Sequence, residues 1–370
     1  MNYFKTAYLY PTLKCNLNCM GCISNANTRY KDFQYNELTL DEYKELIKKL
    51  YDLGVRTFDI SGGEPFLRSD MFSMLCYIKE LENTKITLVT NGTLICKIDS
   101  VKKIINLVDQ LHISMDSGVA ATHNYLRGTE NAYQDAIHGL EFIQKFAERR
   151  ANINMVLSKV NYKEIVSVLE LALTYHCESI TFLKFIDVTP SSKEMSAQLS
   201  MEDYVLVFEQ ILLWLEKYGL KEKDLVIKLV LPGYFRNEIM RKFKNRLICW
   251  KNICIEYDPF CGCRLFGKNI VVDSNGNITG CTACIGKKDF CAGNIMEESE
   301  EQILNGLKRI KQKLIQREKQ LKENESCINC SEWSMCRGGC PAMAYNYSED
   351  MLDKEKYCYL DSSEIVSEEV

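Results

Sequence analysis

The chain has 370 residues, a formal net charge of −4 and an ordinary share of apolar and charged side chains, so a sizeable buried core is available. The small negative charge gives no reason to expect nucleic acid or an anionic membrane as a partner. A membrane-spanning run of about 18 apolar residues and a signal-peptide pattern are both missing from the sequence, which predicts a cytoplasmic protein.

The cysteine content is the one unusual feature of the composition, with 18 residues. In a reducing cytoplasm, clustered thiols bind metals or do chemistry more often than they form disulfides. Twelve of the cysteines fall between 249 and 358, which predicts a front domain with one site and a rear domain with more. The front cluster is Cys15, Cys19 and Cys22, and the three scattered thiols, Cys76, Cys96 and Cys177, are predicted to be core residues.

The first 190 residues alternate between apolar, often β-branched runs and helix-period stretches. In the first such stretch, apolar residues recur every three to four positions from Leu40 to Leu50, between a capping Thr39 and a terminating Gly54. Six strand–helix units predict an α/β fold, a partial (β/α)6 relative of the TIM barrel with its site at the C-terminal strand ends. The predicted strands are 6–13, 55–60, 85–90, 109–115, 152–157 and 178–185.

From about residue 190 the alternation stops. An amphipathic helix is predicted over 200–218, a hairpin with an Asn275-Gly276 turn after 269, and a second long helix over 299–323. We therefore predict a partial barrel (1–195), a bridging helical region (196–248), a small cysteine-rich domain with a β-hairpin and helices (249–360) and an acidic tail (361–370).

The front cysteines have the spacing C-x3-C-x2-C directly after the first predicted strand. A structural zinc site needs four ligands, and no fourth His or Cys lies nearby in sequence. A [4Fe–4S] cluster held by three thiolates keeps one iron open for a ligand that is not protein. The pattern favours such a cluster, and an incomplete zinc site or simply buried thiols remain the alternatives.

The same loop is followed, after the second predicted strand, by ISGGEPFLRSD at 60–70. This combination resembles the radical S-adenosylmethionine (SAM) superfamily. The resemblance implies that the open iron binds the amino and carboxylate groups of SAM, and that an electron splits the sulfonium into methionine and a 5′-deoxyadenosyl radical. The chain departs from the family at Gly21, since an aromatic residue usually precedes the third cysteine.

The resemblance also implies contacts with SAM from the strand ends. Glu64 can accept hydrogen bonds from an ammonium group, and neighbouring glycines allow close approach of the backbone. The later residues can equally be read as ordinary polar groups at strand ends. The implied SAM-binding set is Gly62, Gly63, Glu64, Pro65, Asn91, Ser114, Asp116, Arg127 and Ser158.

The rear segment contains the spacing C-x2-C-x5-C-x3-C, which by itself suits zinc or iron. The full cysteine order resembles the SPASM extension of radical SAM enzymes, which carries one or two auxiliary [4Fe–4S] clusters. The resemblance implies three clusters in all. It implies Cys254, Cys261, Cys281 and Cys340 for the first auxiliary cluster, with Cys263 as an alternative ligand, and Cys327, Cys330, Cys336 and Cys358 for the second.

Relatives of this layout mostly modify ribosomally made peptides, and the chain resembles the quinone-cofactor and mycofactocin maturases and the haem-pathway SPASM enzymes. This implies a precursor peptide as substrate, modified oxidatively by a cross-link, thioether or related change, and an electron donor such as flavodoxin or ferredoxin. Because the chain begins shortly before Cys15, we expect a separate protein or the barrel surface to recognise a peptide leader. Formylglycine formation of the sulfatase-maturase type is disfavoured, because Thr282 replaces the aspartate that follows the hairpin cysteine in those enzymes.

Two alternatives stay open at this point. The same radical chemistry could act on a small molecule or a tetrapyrrole precursor. A zinc-binding interaction module without enzymatic activity is the least favoured interpretation, because it leaves the GGEP segment without a use.

Overall fold

The computed structural model describes residues 4–28, 37–98, 100–147, 151–189, 198–218, 225–231, 235–247, 253–257, 269–323, 327–355 and 358. The described strands form one open eleven-stranded sheet in the order β11-β10-β9-β1-β2-β3-β4-β5-β6-β7-β8. From β9 to β8 all neighbours are parallel, and β10 and β11 are added antiparallel at one end. The strands are β1 Thr6–Leu9, β2 Thr57–Ile60, β3 Lys85–Thr90, β4 Gln110–Ser114, β5 Asn152–Leu157, β6 Ser179–Lys184, β7 Val226–Leu231, β8 Ile253–Tyr257, β9 Asn269–Val272, β10 Asn277–Thr279 and β11 Gly293–Asn294.

Helices connect most of the parallel strands. Those described are α1 Leu40–Asp52, α2 Met71–Glu80, α3 Val101–Leu107, α4 Ala120–Arg127, α5 Ala132–Phe146, α6 Ile165–Thr174, α7 Met201–Tyr218, α8 Arg236–Leu247, α9 Glu300–Lys322, α10 Trp333–Cys336 and α11 Pro341–Ser348. No helix in these ranges is both long and apolar enough to cross a bilayer.

The first helix shows how the sequence sets the local structure. Thr39 and Glu42 form a reciprocal capping box at the start of α1, which satisfies backbone donors that a helix leaves open. Tyr43, Leu46 and Leu50 lie on its buried face, as the apolar period predicts.

The strands bury alternate residues against these helices. In β1, Ala7 and Leu9 belong to the main core, whereas Tyr8 packs against a separate small cluster that includes Tyr10. Because side chains alternate along a strand, Tyr8 and Tyr10 lie on the face of the sheet opposite the α-helical layer. This second face is the inner surface of the partial barrel.

The six predicted strands, the hairpin turn and both long helices are confirmed, and so is the partial barrel. We predict a bridging helical region over 196–248. This segment contains the helices α7 and α8, but it also contains strand β7, which pairs with β6. The next strand, β8, continues the sheet beyond it. The hairpin likewise joins the barrel sheet, since β9 lies parallel to β1. The predicted tail 361–370 lies outside the described residues.

The three scattered cysteines do not share one environment. Cys177 is buried in the core, as predicted, and Cys76 is half-buried. The prediction for Cys96 is wrong, because this residue is exposed and its thiol donates to the carbonyl of His138.

Candidate active site

The front cysteines lie in the loop that follows β1, at the C-terminal edge of the parallel sheet. The side chain of Asn27 braces this loop from within. Its Oδ1 accepts the N–H of Cys15 at 2.9 Å, and its Nδ2 donates to the carbonyl of Leu17 at 2.7 Å. Asn27 therefore stabilises this loop through hydrogen bonds to its backbone that involve no cysteine side chain.

The end of α4 holds the same loop from outside. The N–H groups of Asn18 and Met20 donate to the carbonyls of Arg127 and Leu126 at 3.2 and 2.9 Å. The helix ends at Gly128 with φ +67°, where a Cβ would lie 2.3 Å from the carbonyl oxygen of Asn18. Glycine therefore lets the helix end approach the cysteine loop, where any other residue would collide with it.

The GGEP segment packs against the strand extension that leads into the cysteines. The N–H of Gly63 donates to the carbonyl of Thr12 at 2.8 Å, and that of Glu64 to the carbonyl of Lys14 at 2.7 Å. A Cβ on Gly63 would lie 2.0 Å from the Lys14 oxygen. The two segments can approach this closely only because position 63 has no side chain.

Glu64 itself is fully buried at the end of β2. Its carboxylate accepts hydrogen bonds from the N–H of Phe66 at 3.2 Å, the Thr90 hydroxyl at 2.7 Å and the N–H of Asn91 at 2.9 Å. Burial raises the pKa of Glu64 to about 7, although these donors act in the opposite direction. Glu64 is thus a carboxyl group of fixed orientation, and its ionised form can accept a further hydrogen bond from a cationic ligand.

Arg127 lies between a carboxylate and a thiol. Its guanidinium pairs with Asp116 at 2.9 Å and donates to the sulfur of Cys19 at 3.8 Å. Its Nε is buried and has no partner among the described residues. Asp116 in turn accepts the N–H of Val156 at 3.1 Å, so the charge pair is anchored on β5. A buried donor without a partner is the kind of group that a bound anion would satisfy.

The remaining predicted contacts lie at the neighbouring strand ends, and two of them already have partners within the protein. The Asn91 amide donates to the Asn16 side chain at 3.0 Å and accepts the N–H of Thr93 at 2.9 Å. Ser158 bonds through both its N–H and its hydroxyl to the side chain of Asn161, which also donates to the carbonyl of Asp116. Ser114 is half-buried at the end of β4.

The thiols of the front loop fit a cationic metal cluster. The pKa of Cys15 is raised to about 12 and that of Cys19 to about 11, chiefly by burial and to a smaller extent by the neighbouring thiols. On Cys19 the Arg127 guanidinium acts in the opposite direction. Iron would displace these protons, because the thiolate is the ligand form. In the described ranges, no three His, Cys, Asp or Glu side chains form a site for one metal ion. The ligands of a cube lie farther apart, since each binds its own iron.

Tyr10 connects the front loop to the rear segment. Its hydroxyl donates to Thr282 Oγ1 at 3.0 Å, and its side chain is almost fully buried. Burial raises the pKa of the phenol, and negative charge on Asp59, Cys281 or Cys22 would raise it further. Tyr10 therefore lies near both Cys22 of the front loop and Cys281 of the rear segment. The sequence alone does not indicate Tyr10 as a site residue, and of this hydrogen-bonded pair only Thr282 stands out in the sequence motifs.

The rear cysteines fall into neighbouring groups. Cys340 is half-buried and interacts with Cys281, and Cys336 interacts with Cys358. Cys327 and Cys330 share one turn, in which the N–H of Cys330 donates to the carbonyl of Cys327 at 3.2 Å. These groupings follow the order of the sequence motif.

The other predicted ligands of the first auxiliary site are less closely placed. Cys254 is exposed on β8, the strand at the opposite end of the sheet order from the hairpin that precedes Cys281. The predictions for Cys261 and Cys263 lie outside the described residues.

Comparison with known proteins gives two family matches. Residues 9–172 match the radical SAM superfamily, and residues 263–331 match SPASM, an iron–sulfur cluster-binding domain. An AdoMet-dependent heme synthase of Methanosarcina barkeri is 29% identical over 94% of each chain. The mycofactocin maturase MftC of Mycolicibacterium smegmatis is 23% identical over 90% of this chain and 77% of its own.

Among solved structures, Streptococcus suis SuiB bound to its precursor peptide SuiA matches with a TM-score of 0.72 and 18% identity. The match covers 96% of this chain and 75% of SuiB, which has also been solved bound to S-adenosylmethionine. At this identity the similarity establishes the fold.

Proposed function

The chain is a radical SAM enzyme with a SPASM domain, and we propose that it abstracts a hydrogen atom from a ribosomally synthesised peptide, which it modifies oxidatively. Its cofactors are SAM and multiple [4Fe–4S] clusters. When bound, they supply a 5′-deoxyadenosyl radical by reductive cleavage of SAM. The observation that carries the proposal is the convergence of three thiols, the buried Glu64 carboxyl and the Arg127 guanidinium at one edge of the sheet.

In this proposal, Cys15, Cys19 and Cys22 hold the SAM-binding cluster. Glu64 accepts the ammonium group of SAM, since its carboxylate is fixed by three donors. Arg127 offers the unpartnered Nε to the SAM carboxylate while Asp116 holds the rest of the guanidinium. Gly62 and Gly63 allow the backbone beside them to approach. Pro65, Asn91, Ser114 and Ser158 complete the rim of the site.

The rear thiols supply two auxiliary clusters in the same proposal. Cys281 and Cys340 hold the first, with Cys254 and either Cys261 or Cys263. Cys327, Cys330, Cys336 and Cys358 hold the second. The pairwise proximity of Cys281 to Cys340 and of Cys336 to Cys358 supports these two sets. An electron donor such as flavodoxin or ferredoxin would supply the electrons.

The relatives support two substrate classes. The mycofactocin maturase aligns over most of both chains and supports a peptide, recognised by the barrel surface or with the help of a separate leader-binding protein. The heme synthase is similar over 94% of each chain and favours a tetrapyrrole as the second candidate. The two classes are distinguished by incubating the enzyme with a short Cys-, Tyr- or Lys-containing peptide encoded beside this chain. A peptide-modifying enzyme would change the mass of this peptide, whereas a tetrapyrrole enzyme would leave the peptide unchanged.

The SAM site is tested by anaerobic reconstitution followed by iron and sulfide analysis. We expect about twelve iron atoms per chain, as three cubes require, and 5′-deoxyadenosine when SAM and dithionite are added. Replacing Cys15, Cys19 and Cys22 by Ala should lower the iron content by about four atoms and abolish 5′-deoxyadenosine. The matched control is Cys96→Ala, which removes an exposed thiol outside every proposed set and should change neither quantity. A triple variant that still cleaves SAM would contradict the assignment.

A further inference from the structure

A row of polar side chains crosses the inner face of the partial barrel from β4 to β7. In these strands the residues of the main core alternate with residues that point to the opposite, inner face. On that face Ser114 is paired in register with Asn154, and Asn154 with Thr181. Thr181 is in turn paired with Lys228 on β7. Because neighbouring strands lie about 4.8 Å apart, this row extends about 14 Å from the rim of the proposed SAM site.

The inner face one step closer to the N-terminal ends of the strands is bonded within the protein. The Ser179 hydroxyl donates to Asn152 Oδ1 at 2.6 Å, and Asn152 Nδ2 donates to the carbonyl of Leu111 at 3.3 Å. Both side chains are buried. The polar groups at this lower level therefore satisfy one another and need no ligand.

The row that ends at Lys228 differs, because its donors lack partners of this kind. Lys228 is half-buried, and its ammonium group has no ion pair or hydrogen bond to any described residue. Thr181 is only 8% exposed, and its hydroxyl likewise has no hydrogen-bond partner in the described part of the chain. Leaving a buried hydroxyl and a half-buried cation unpaired costs free energy, which a bound anion would recover.

His112 orients the third donor of the row. Its Nδ1 lies 3.0 Å from Asn154 Oδ1. The pKa of His112 is lowered, chiefly by burial and to a smaller extent by the Lys228 charge, although the Asn154 hydrogen bond acts in the opposite direction. A neutral ring can donate its Nδ1 proton to Asn154 Oδ1, which leaves the amide N–H groups of Asn154 to donate elsewhere.

Adjacent strands thus present an amide, a hydroxyl and an ammonium group side by side, all able to donate. A carboxylate of the protein does not fill this position among the described side chains. Asp59 also lies on the inner face, but it belongs to β2, five strands from β7 in the sheet order, and does not pair with Lys228.

We propose that Lys228, Thr181 and Asn154 bind a carboxylate group of the substrate on the inner face of the sheet. This inference rests on the proposed function and narrows its substrate to a molecule that carries a carboxylate. The two oxygens of a carboxylate accept several hydrogen bonds at once, and the lysine supplies the opposite charge. A peptide offers this group on Asp, on Glu or at its C-terminus, and a tetrapyrrole offers it on acidic ring substituents.

The experiment measures binding to the full chain, reconstituted with its clusters and supplied with SAM, by two matched pairs of probes. Coproporphyrin III is compared with its tetraamide, which keeps the ring but carries no carboxylate, by fluorescence. A pool of end-blocked heptapeptides with a central Glu is compared with the same pool carrying Gln, by equilibrium dialysis and mass spectrometry.

Two variants remove single donors from the site. Lys228→Met removes the ammonium group and keeps an apolar stem, whereas Thr181→Val removes the hydroxyl at nearly constant size. The matched control is Lys103→Met, which removes an exposed lysine on α3, on the helical side of the sheet.

We expect the parent protein to prefer the acid over the amide in at least one pair of probes. Lys228→Met should weaken binding of that acid by about tenfold or more, and Thr181→Val by about two- to tenfold, since both remove a donor to a charged acceptor. Binding of the amide should change little in either variant, and Lys103→Met should match the parent protein.

A preference confined to the porphyrin pair assigns the carboxylate to a tetrapyrrole, and one confined to the peptide pair assigns it to a peptide. No preference for the acid in either pair, or equal losses in Lys228→Met and Lys103→Met, overturns the proposal. If Lys228→Met loses its iron, Thr181→Val decides, and unchanged binding of the acid in that variant overturns the proposal as well. A parent protein that forms no 5′-deoxyadenosine contradicts the proposed function instead, because these binding comparisons do not depend on SAM cleavage.

Discussion

Individual buried polar groups determine the properties of the front site. Glu64 could be singled out from sequence because it stands in a recognisable segment directly after a strand. The bond between Tyr10 and Thr282 could not, because the two residues are 272 positions apart and nothing in the local sequence of either indicates the other. Sequence reasoning identifies a group by its local context, whereas a hydrogen-bond partner depends on how distant segments pack.

The pH dependence of SAM binding tests the role of Glu64. With a pKa of about 7 in the SAM-free protein, the carboxyl group takes up a proton as the pH falls through that value. The protonated form has no charge to offer an ammonium group, so SAM affinity should fall, by at most about tenfold per pH unit, as the pH is lowered from about 8 to about 6. Equilibrium binding to the reconstituted protein measures this. Glu64→Gln should bind SAM weakly at every pH, and an unchanged pH profile in this variant would contradict the assignment.

The Tyr10–Thr282 pair predicts an asymmetry between two variants. Thr282→Val leaves the buried Tyr10 hydroxyl without its partner and should lower the free energy of unfolding by about 1–3 kcal/mol. Tyr10→Phe leaves only the half-buried Thr282 hydroxyl, which water can reach, and should cost about 0.5–1.5 kcal/mol. Denaturant unfolding under anaerobic conditions compares the two. A larger cost for Tyr10→Phe would show that this hydrogen bond is not the main interaction of the pair.

At the scale of elements, the front site is built where loops and helix ends meet at one edge of a parallel sheet. The cysteine loop follows β1, the GGEP segment follows β2, and the end of α4 bonds to the cysteine loop through its backbone. Glycines at 63 and 128 make these close approaches possible. The element order was predictable from the apolar periods, but the contact between α4 and the cysteine loop was not, because helix packing is decided by three-dimensional fit.

A pair of glycine variants tests this arrangement. Gly63→Ala forces a methyl group against the Lys14 carbonyl, and overpacking of this kind costs about 1–3 kcal/mol. We expect reduced iron in the front site and weaker SAM binding, with the rear clusters retained. Gly306→Ala makes an equally severe clash, 1.8 Å from the Ala292 carbonyl oxygen, but on α9 in the rear segment. It should spare 5′-deoxyadenosine formation far more than Gly63→Ala does. Equal losses in the two variants would show that the effect is not local.

On the scale of the whole molecule, the front and rear segments share one sheet. The rear strand β9 pairs in parallel with β1, and Tyr10 donates its N–H to the carbonyl of Val272 at 2.9 Å to extend that pairing. The N-terminal strand is therefore covered on one side by β2 and on the other by a strand from the cysteine-rich segment. Separation of the two parts would expose an unpaired strand edge in the centre of the sheet.

This continuity predicts a single cooperative unfolding transition. Secondary structure, followed by circular dichroism, and iron–sulfur absorbance should be lost at the same denaturant concentration in the anaerobic protein. Two separate midpoints would contradict this, since they would mean that the front barrel remains folded without β9. The exposed-thiol variant Cys96→Ala serves as the control and should unfold like the parent protein.

The sequence by itself determined the periodic elements and the three-cysteine loop, because apolar periods and ligand spacing are local properties of the chain. Its motifs indicated SAM-type chemistry through their resemblance to a known family. It did not reveal β7 and β8 as members of the sheet. The apolar run of β7 follows the end of the regular strand–helix alternation near residue 190, and β8, Ile253–Tyr257, lies in a cysteine-rich stretch. Only the tertiary structure decided that β9 lies against β1, that Tyr10 meets Thr282, and that Arg317 and Glu355 hold the turn between Cys336 and Cys340. Each of these contacts joins residues that are separated in the sequence. Its energy depends on burial and geometry that exist only once the chain has folded.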